Sequence, residues 1–202
     1  MSFSVSVVIP CYNEQDNIGS IYSKLTEVLA SYEQYELLFV DDGSSDLTLQ
    51  KVISLAETDP RIHYLSLSRN FGHQQALKAG LDHASGDCVI SLDADLQHPP
   101  SLIPELIAKW QQGYDVVNTI RGELKSLPLL KRITSGLFYK SINRLSSVEI
   151  NAGMADFRLL DRKVVDALKH FNENYLFLRG LIPWLGFNQT AVNFQPAERN
   201  SG

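Results

Sequence analysis

The sequence predicts an α/β domain whose central sheet is mostly parallel and carries helices on both faces. Short apolar runs rich in strand-forming residues alternate with longer segments of helical periodicity over the first 120 residues. These runs are apolar throughout, as in strands that are buried on both faces. Polar residues follow directly after the runs, where a parallel sheet binds its ligands. Together, the three observations predict both the fold class and the edge of the sheet that carries the site.

The predicted elements alternate along the chain. Strands are predicted at residues 5–9, 36–40, 62–67, 88–92 and 115–120. Helices are predicted between them, at residues 17–31, 47–58, 73–84 and 101–112. The first helix shows the amphipathic spacing best, with a stripe formed by Ile18, Ile21, Leu25, Val28 and Leu29. Such a stripe packs on a sheet and leaves the opposite face in water.

The alternation stops after residue 120. Residues 128–146 predict a basic amphipathic helix, in which three basic residues recur at multiples of four: Arg132, Lys140 and Arg144. Residues 175–187 are strongly apolar, and a strand is predicted at residues 190–194. The chain ends in a polar loop, residues 195–202, from which we expect that the sequence stops inside a longer protein.

The composition is that of a globular protein. Hydrophobic residues make up 44% of the 202 residues and charged residues 20%, which excludes a disordered tail or a fibre and fits one domain over residues 1–202. No run approaches the roughly 18 apolar residues of a membrane span, and the start of the chain lacks the basic region of a secretory signal. Cys11 and Cys88 cannot build a disulfide framework or a four-ligand zinc site.

Charge is distributed unevenly along the chain, although the net charge is only −5. Residues 1–120 hold six Lys and Arg against sixteen Asp and Glu, whereas residues 121–202 hold twelve against seven. This asymmetry favours a carboxylate-rich site in the first part and an anionic partner for the second, which could be lipid phosphate, a membrane surface or nucleic acid. Two unrelated solvated faces would produce the same distribution.

Asp93 and Asp95 give the strongest signal for chemistry. They follow a buried apolar run, are separated by one small residue, and are followed by Gln97. Two carboxylates so spaced can share Mg²⁺ or Mn²⁺, which favour oxygen ligands and accept diphosphate oxygens as further ligands. Such a cation would act as a Lewis acid on a departing nucleoside diphosphate. The alternative is a turn in which an aspartate caps the next helix, but the position after the fourth strand favours the site.

A second acidic turn follows the second strand. Asp41 and Asp42 are adjacent there and could accept hydrogen bonds from a base or a ribose hydroxyl, while Ser45 or Asp46 caps the next helix. The first loop lacks a Gly-x-Gly-x-x-Gly pattern, and the sequence contains no Gly-Lys-Ser/Thr loop. Dinucleotide oxidoreductases and Walker-type ATPases therefore lose their main support.

Four motifs occur in order along the first half of the chain: residues 7–14 (VVIPCYNE), 40–46 (VDDGSSD), 70–76 (NFGHQQA) and 93–100 (DADLQHPP). They resemble the motifs of the family 2 inverting glycosyltransferases, and within that family the polyprenyl-phosphate branch of dolichyl-phosphate mannose synthases and undecaprenyl-phosphate glucosyltransferases. The resemblance implies the GT-A fold, with a Rossmann-like sheet. It also implies a nucleotide-sugar part at residues 1–120 and an acceptor and membrane-surface part at residues 121–202, cut before C-terminal transmembrane helices.

Carried over by position, the resemblance implies roles for individual residues. A nucleotide pocket would be formed by Pro10, Tyr12, Glu14, Asp41, Arg69 and Asp93. The metal, Mg²⁺ or Mn²⁺, and the diphosphate would be held by Asp93, Asp95 and Gln97, and Asp95 would thereby take part in catalysis. The lipid phosphate would be received by Arg121, Arg132 and Arg199.

Asp156 is the candidate catalytic base. A carboxylate near the anomeric carbon would deprotonate a hydroxyl acceptor. A phosphate monoester has a second pKa of about 6 and is already an oxyanion at neutral pH, so it has no strict need of a base. Asp156 could instead orient the sugar or pair with a basic residue such as Arg158. For Arg179, His73 and His98, structural contacts are the simpler interpretation.

These observations predict an inverting transferase that moves a hexose from a nucleotide sugar, with a UDP-sugar favoured, to a polyprenyl phosphate such as undecaprenyl phosphate. The expected place of action is the cytoplasmic face of the membrane, with an anionic membrane surface as partner and a homo-oligomer as one allowed assembly. Transfer to a saccharide hydroxyl and a catalytically silent binding module stay open as alternatives. Nucleic acid is not an expected partner, because the basic region has few aromatic residues and the net charge is negative.

Overall fold

The computed structural model describes residues 2–122, 154–171 and 177–195. The basic helix predicted at residues 128–146, and Arg132 with it, lies outside the described residues. Arg199, in the predicted C-terminal loop, lies outside them as well. The described residues build an α/β fold on a seven-stranded sheet, which confirms the predicted fold class.

The sheet has the strand order β3-β2-β1-β4-β6-β5-β7. Its strands are β1 (Ser4–Cys11), β2 (Gln34–Asp41), β3 (Ile62–Ser66), β4 (Cys88–Ser91), β5 (Val116–Arg121), β6 (Met154–Asp161) and β7 (Gln189–Phe194). The pairs β1–β2, β2–β3, β1–β4 and β5–β7 are parallel. Among the described strands only β6 runs antiparallel to its neighbours, β4 and β5. The sheet is therefore mostly parallel, as predicted.

Helices cover both faces of the sheet. They are α1 (Ile18–Leu29), α2 (Thr48–Thr58), α3 (His73–His83), α4 (Ile103–Gln111), α5 (Arg162–Leu168) and α6 (Leu178–Trp184), with a 3₁₀ turn at Pro100–Leu102 before α4. One core lies between the sheet and α1, α2 and α4, and a second between the sheet and α3, α5 and α6. None of these described helices is long and apolar enough to cross a membrane.

The sequence pattern predicts most strand bounds to within two residues but assigns no strand to residues 154–161, where the structure has β6. Asp156 and Arg158 interrupt the apolar pattern there, although both are buried. A buried strand that carries charged side chains matches neither the alternating nor the continuous apolar template. β6 is therefore visible only in the three-dimensional structure.

The antiparallel direction of β6 brings its first residues to the edge where the parallel strands end. Ser91 of β4 lies opposite Arg158 of β6. Asp93, two residues after Ser91, consequently comes level with Asp156, two residues before Arg158. The loops after β1, β2 and β3 begin at the same edge, because these strands are parallel to β4. The topology thus collects candidate site residues from distant parts of the chain.

Candidate active site

A cleft of about 290 Å³ opens at this carboxyl edge of the sheet. Its walls come from the end of β1, from the loops after β1, β2, β3 and β4, and from the start of α3. Five of the predicted site residues line it: Pro10, Tyr12, Glu14, Asp93 and Asp95. The structure therefore brings part of the predicted nucleotide pocket and the two predicted metal carboxylates into one cavity, which we call the acidic cleft.

A larger cavity, of about 550 Å³, lies between α1 and α2. Gln15, Asp16, Leu47 and Lys51 are among the residues of its wall, and no predicted site residue is found among the described wall residues. Asp16 is the one carboxylate among them, and a lone carboxylate is a poor ligand set for a divalent cation. The acidic cleft is therefore the candidate site, although it is the smaller cavity.

Hydrogen bonds between loops shape the wall of the acidic cleft. The N–H of Asn13 donates to Ser44 Oγ at 3.0 Å, and Asn13 Oδ1 accepts from the N–H of Ser45 at 2.9 Å. The N–H of Glu14 donates to Thr48 Oγ1 at 2.8 Å. Asn13 has a φ of 54°, a left-handed conformation that asparagine adopts more readily than most residues. These contacts fix the loop after β1 to the loop after β2.

The two aspartates after β2 have different surroundings. Asp42 accepts hydrogen bonds from the N–H groups of Phe71 and Gly72, at 2.8 and 2.9 Å. Asp41 is buried, and its Oδ2 accepts from the N–H of Ser44 at 3.3 Å. Asp41 Oδ1 has no hydrogen-bond partner within the described part of the chain. Asp42 thus holds the loop after β3, whereas Asp41 keeps a buried acceptor.

Two histidines flank Asp93. His73, the first residue of α3, donates from Nε2 to Asp93 Oδ1 at 2.7 Å, and this bond raises the pKa of His73 against the effect of burial. Burial alone would raise the pKa of Asp93, but the bond from His73 and nearby positive charge lower it. Burial lowers the pKa of His98, whose Nδ1 accepts the N–H of Asp93 at 3.3 Å. Asp93 is therefore an ionised carboxylate with a fixed orientation.

Asp95 and Gln97 are joined by a tight turn. The N–H of Gln97 donates to Asp95 Oδ1 at 3.0 Å, and Leu96 between them has a φ of 62°. Gln97 Oε1 accepts from Arg121 Nη2 at 2.7 Å. The amide oxygen expected at the metal and an arginine expected at the lipid phosphate therefore contact each other in this structure.

The acidic cleft suits a hard divalent cation through Asp93 and Asp95. Carboxylate oxygens are the donors that Mg²⁺ and Mn²⁺ prefer, and Mg²⁺ is commonly held by one or two carboxylates together with substrate phosphates. Over residues 2–122, 154–171 and 177–195, no group of three or more His, Cys, Asp and Glu side chains forms a metal site of its own. The donor set therefore fits a cation that completes its coordination with the substrate.

Asp156 is buried, and its carboxylate contacts the ring of His73, which lines the cleft. Its Oδ1 accepts from Arg158 Nη2 at 3.1 Å and from Arg179 Nε at 3.0 Å. Its Oδ2 accepts from Arg179 Nη2 at 2.8 Å and from Gln74 Nε2 at 3.2 Å. Burial alone would raise the pKa of Asp156, but the bonds from Arg179 and the charge of Arg158 lower it below its ordinary value. Asp156 is therefore an ionised carboxylate between two guanidinium groups.

Two residues of the predicted nucleotide pocket, Asp41 and Arg69, are not among the described residues of the cleft wall. Arg69 is exposed; its guanidinium stacks on the ring of Phe71 at 4.2 Å and donates to the carbonyl of Asn70. The next residue in the sequence, Asn70, lines the cleft, but Arg69 does not. Arg132 and Arg199 lie outside the described residues, so their predicted roles stay predictions.

The pair of Asp156 with Arg158 agrees with one of the alternatives from the sequence, whereas two other partners of Asp156, His73 and Arg179, are functional candidates that sequence reasoning misses. His73 directly follows the loop after β3, so the rule that sites lie at the carboxyl ends of parallel strands points to it. Arg179 lies 23 residues after Asp156, in an apolar segment. No motif or periodicity there signals an active-site contact, and only the fold brings the two residues together.

The chain matches the family model described as glycosyl transferase family 2 over residues 6–169. It is 44% identical to an uncharacterized glycosyltransferase of Synechocystis sp. (strain ATCC 27184 / PCC 6803 / Kazusa), with 100% of this chain covered. It is 43% identical to the bactoprenol glucosyl transferase of Shigella phage SfV, with 98% of this chain covered. The chain covers only 64% and 65% of the length of these two relatives.

The fold is also similar to that of a solved mannosyltransferase of Pyrobaculum calidifontis, in complex with GDP-Man and Mn²⁺. The TM-score is 0.67 over 99% of this chain and 59% of that chain. Because the identity is 20%, this likeness concerns the fold alone. It agrees with the predicted GT-A arrangement. The match to the family model includes the loops of the acidic cleft and Asp156, but ends before Arg179.

Proposed function

The chain belongs to glycosyl transferase family 2, and from this membership and the geometry of the acidic cleft we propose that it transfers glucose from UDP-glucose to a polyprenyl phosphate such as undecaprenyl phosphate. The relative named bactoprenol glucosyl transferase, at 43% identity, supports this sugar and this class of acceptor. The observation that carries the proposal is the pair Asp93 and Asp95 in a cleft that Pro10, Tyr12 and Glu14 also line.

The donor nucleotide lies against the loops after β1 and β2. Tyr12 is 45% exposed at the cleft and offers an aromatic face to the base, beside Pro10 and Glu14. Asp41 Oδ1 accepts a hydrogen bond from the base. A buried acceptor without a partner costs about 1 to 3 kcal/mol, so a ligand that donates to Asp41 Oδ1 recovers this free energy on binding.

The diphosphate lies beside Asp93 and Asp95, which would hold Mg²⁺ or Mn²⁺. When bound, the cation stabilises the negative charge that develops on the departing diphosphate. The bond from His73 orients Asp93, and the N–H of Gln97 orients Asp95. The solved mannosyltransferase, which contains Mn²⁺ and GDP-Man, supports the use of a divalent cation.

The acceptor phosphate attacks the anomeric carbon on the face opposite the diphosphate, so the configuration inverts. A bond forms between a phosphate oxygen and the anomeric carbon while the bond from that carbon to the β-phosphate oxygen breaks, and its electron pair leaves with UDP. Arg121, Arg132 and Arg199 would neutralise the acceptor. Arg121 has a buried Nε with no hydrogen-bond partner within the described residues, which supports a further anionic contact.

A panel of donors and acceptors tests the proposal. UDP-glucose, UDP-galactose and GDP-mannose are each incubated with undecaprenyl phosphate, dolichyl phosphate and undecaprenol, with Mn²⁺ or with a chelator. We expect glucose transfer from UDP-glucose to undecaprenyl phosphate, and loss of transfer when the cation is removed. Transfer to undecaprenol would instead indicate a hydroxyl acceptor and a required base. Nucleotide binding without any transfer would indicate a silent binding module.

The proposal places the protein at the cytoplasmic face of the membrane, where a lipid phosphate meets a nucleotide sugar. The excess of Lys and Arg in residues 121–202 supports contact with anionic lipid. Assembly into a homo-oligomer stays a prediction.

A further inference from the structure

We propose that Arg179 binds the phosphate of the acceptor and that Asp156 is a positioning residue that orients Arg179. This inference rests on the proposed function, to which it adds a residue beyond the sequence motifs. It also gives Asp156 a role other than that of a base.

Asp156 has no acceptor position left for a substrate proton. An ionised carboxylate offers about four lone-pair positions. Among the described residues, four N–H groups already donate to Asp156, two to each oxygen: one from Arg158, two from Arg179 and one from Gln74. A general base must come within hydrogen-bond reach of the proton that it removes. Asp156 would first have to break one of these buried bonds.

Arg158 anchors Asp156 from the interior of the protein. Its side chain is fully buried and donates to the carbonyl of Ala155 and to Asp156. Arg158 Nε and Nη1 have no hydrogen-bond partner within the described ranges. A buried guanidinium requires a nearby anion, because an uncompensated buried charge is strongly destabilising. Asp156 supplies this anion and is thereby fixed in one position.

Arg179 lies on the outer side of this anchored carboxylate. Two parallel hydrogen bonds to Asp156 fix the plane of its guanidinium. The side chain of Arg179 is 41% exposed, whereas that of Asp156 is 5% exposed. His73 contacts both Asp156 and Asp93, and the charge of Arg179 acts on Asp93. An oriented and partly exposed guanidinium, separated from the cleft by the ring of His73, suits a phosphate oxygen.

The position of Arg179 favours the acceptor phosphate over the donor diphosphate. His73 lies between the Asp156–Arg179 pair and Asp93, beside which the donor diphosphate would bind. Arg179 belongs to α6, outside the loops that form the nucleotide wall. An inverting displacement needs the acceptor on the side of the anomeric carbon that faces away from the diphosphate. Arg179 can neutralise a phosphate that approaches from that side.

Binding of a short lipid phosphate tests the role of Arg179. Affinities for farnesyl phosphate, for farnesol and for UDP with Mn²⁺ are measured in the unchanged protein and in Arg179→Ala and Arg179→Lys. We expect Arg179→Ala to weaken farnesyl phosphate binding by about tenfold or more, as for the loss of a charge-assisted hydrogen bond, and Arg179→Lys to recover part of it. Binding of farnesol and of UDP should not change.

Arg61→Ala is the matched control. Arg61 forms a similar fork on Asp59, at 2.8 and 2.7 Å, and is 47% exposed. It directly precedes β3, at the edge of the sheet opposite the cleft. Its loss removes an equivalent arginine and should leave all three affinities unchanged.

Steady-state kinetics of Asp156→Asn separate positioning from base catalysis. A positioning residue predicts a raised KM for undecaprenyl phosphate, a similar kcat and an unchanged pH profile. A base predicts a collapse of kcat at an unchanged KM. If Asp156→Asn unfolds because Arg158 loses its anion, the same kinetics are measured in Arg179→Ala: a raised KM for undecaprenyl phosphate at a similar kcat supports positioning through Arg179, and unchanged constants contradict it.

Three outcomes separate this inference from the proposed function. Unchanged farnesyl phosphate binding in folded Arg179→Ala overturns the inference. Loss of UDP binding in the same variant overturns it too, because Arg179 would then serve the donor. Arg179-dependent binding of farnesyl phosphate without any glucose transfer by the unchanged protein supports the inference and overturns the proposed function.

Discussion

At the scale of single residues, the acidic cleft depends on carboxylates that each have one defined set of partners. Asp42 accepts two backbone N–H groups of the loop after β3, and Asp156 accepts four N–H groups of three side chains. Asp95 accepts the N–H of Gln97 through Oδ1 and lines the cleft. Asp156 is therefore held entirely by side chains of the protein, whereas Asp95 lines the cleft with an oxygen, Oδ2, for which no such bond is described.

Asp95→Ala should abolish most of the metal-dependent nucleotide binding. Asp93 would then be the one remaining aspartate of the pair at the cation. Repulsion between its carboxylate and the diphosphate would oppose binding. Loss of a residue that only supports a metal ligand costs roughly 10- to 100-fold in affinity, so loss of a ligand should cost at least about tenfold. Titration calorimetry with UDP and Mn²⁺ measures the effect. Asp16→Ala, which removes an exposed carboxylate from the wall of the other cavity, is the control. Unchanged Mn²⁺-dependent affinity in folded Asp95→Ala would contradict the assignment.

Gly43→Ala should destabilise the protein and weaken nucleotide binding. Gly43 has a φ of 71°, and a Cβ there would lie within 2.8 Å of three backbone atoms of Arg69 and Asn70. Gly186→Ala is a matched control, because Gly186 has a φ of 74° but open space around the position of a Cβ. Left-handed backbone strain costs about 1 to 2 kcal/mol in either variant.

The clash at Gly43 should add about 1 to 3 kcal/mol, because backbone atoms cannot rotate away. Urea denaturation measures the free energy of unfolding of each variant. Calorimetry with UDP measures how much the displaced loop weakens nucleotide binding. Equal destabilisation of the two variants would show that the loops after β2 and β3 are not in contact as described.

The residues of the cleft wall are predictable from the sequence where they lie at the end of a parallel strand or in the loop directly after it. Pro10, Tyr12, Asp93 and Asp95 all meet this condition, and all of them line the acidic cleft. The different roles of Asp41 and Asp42 are not predictable, because the partners of Asp42 come from a loop 29 and 30 residues away. A local sequence window does not show which residues so far apart in the sequence come into contact.

At the scale of elements, the junction between α2 and β3 is held by one buried carboxylate. Asp59 ends α2 and accepts from the N–H, Nε and Nη2 of Arg61, at 3.0, 2.8 and 2.7 Å. Tyr22 of α1 donates to the same carboxylate at 3.1 Å, and Arg61 stacks on the ring of Tyr35 in β2. Asp59 therefore links α1, α2 and the start of β3.

Asp59→Asn should lower stability in a pH-dependent way. The bonds from Arg61 lower the pKa of Asp59 to about 2, below its value of about 4 in the unfolded chain. The stabilisation is therefore fully present above pH 4 and is lost as the pH falls through 2, and it amounts to at most about 2.5 kcal/mol.

Denaturation at several pH values checks this prediction. The difference in unfolding free energy between the unchanged protein and Asp59→Asn should be largest near pH 6 and should shrink towards pH 2. Glu57→Gln, which removes an exposed carboxylate of α2, should show no such change. A difference that stays constant with pH would mean that the ionised form of Asp59 does not contribute.

Elements are predictable from the sequence where burial follows a simple period. The stripe of α1 is an example, since Ile18, Ile21, Leu25 and Leu29 are fully buried as their spacing predicts. β6 is the counterexample, because Asp156 and Arg158 replace apolar residues at buried positions. Their burial is compensated by each other and by Arg179, which lies on another element. Tertiary contacts of this kind cannot be read from periodicity.

At the scale of the whole molecule, negative charge dominates the part that forms the cleft and positive charge the part that follows it. The carboxylates of the first 120 residues suit a metal-bound donor, whereas an anionic lipid acceptor requires cations. This distribution agrees with the proposed function, in which both substrates are anions: the donor diphosphate would be bound through a cation, and the acceptor phosphate would be bound directly by basic residues. The basic segment at residues 128–146 lies outside the described residues, so its role stays a prediction from the sequence.

Reversal of Arg132, Lys140 and Arg144 to Glu should greatly weaken binding to anionic vesicles. Each basic residue near a membrane surface adds about 1 kcal/mol of attraction, and each reversal replaces that attraction with repulsion. Sedimentation with vesicles containing phosphatidylglycerol measures the loss. Added salt should mimic it, because exposed charges are screened over about 8 to 10 Å at physiological ionic strength.

The control for this variant is reversal of Lys24, Lys51 and Lys109 to Glu, which changes the net charge equally but within residues 1–120. It should leave vesicle binding almost unchanged if attraction is local to the basic segment, since screening limits each charge to its own surroundings. Binding of UDP with Mn²⁺ should survive in the basic-segment variant, because the described residues of the acidic cleft all lie between Pro10 and Asp95, outside the reversed segment. If both reversals weakened vesicle binding to the same degree, net charge alone would explain the attraction. If the unchanged protein did not bind vesicles, residues 128–146 would be an ordinary solvated segment. The arginines proposed to bind the lipid phosphate would then act without a membrane-bound segment next to them in the sequence.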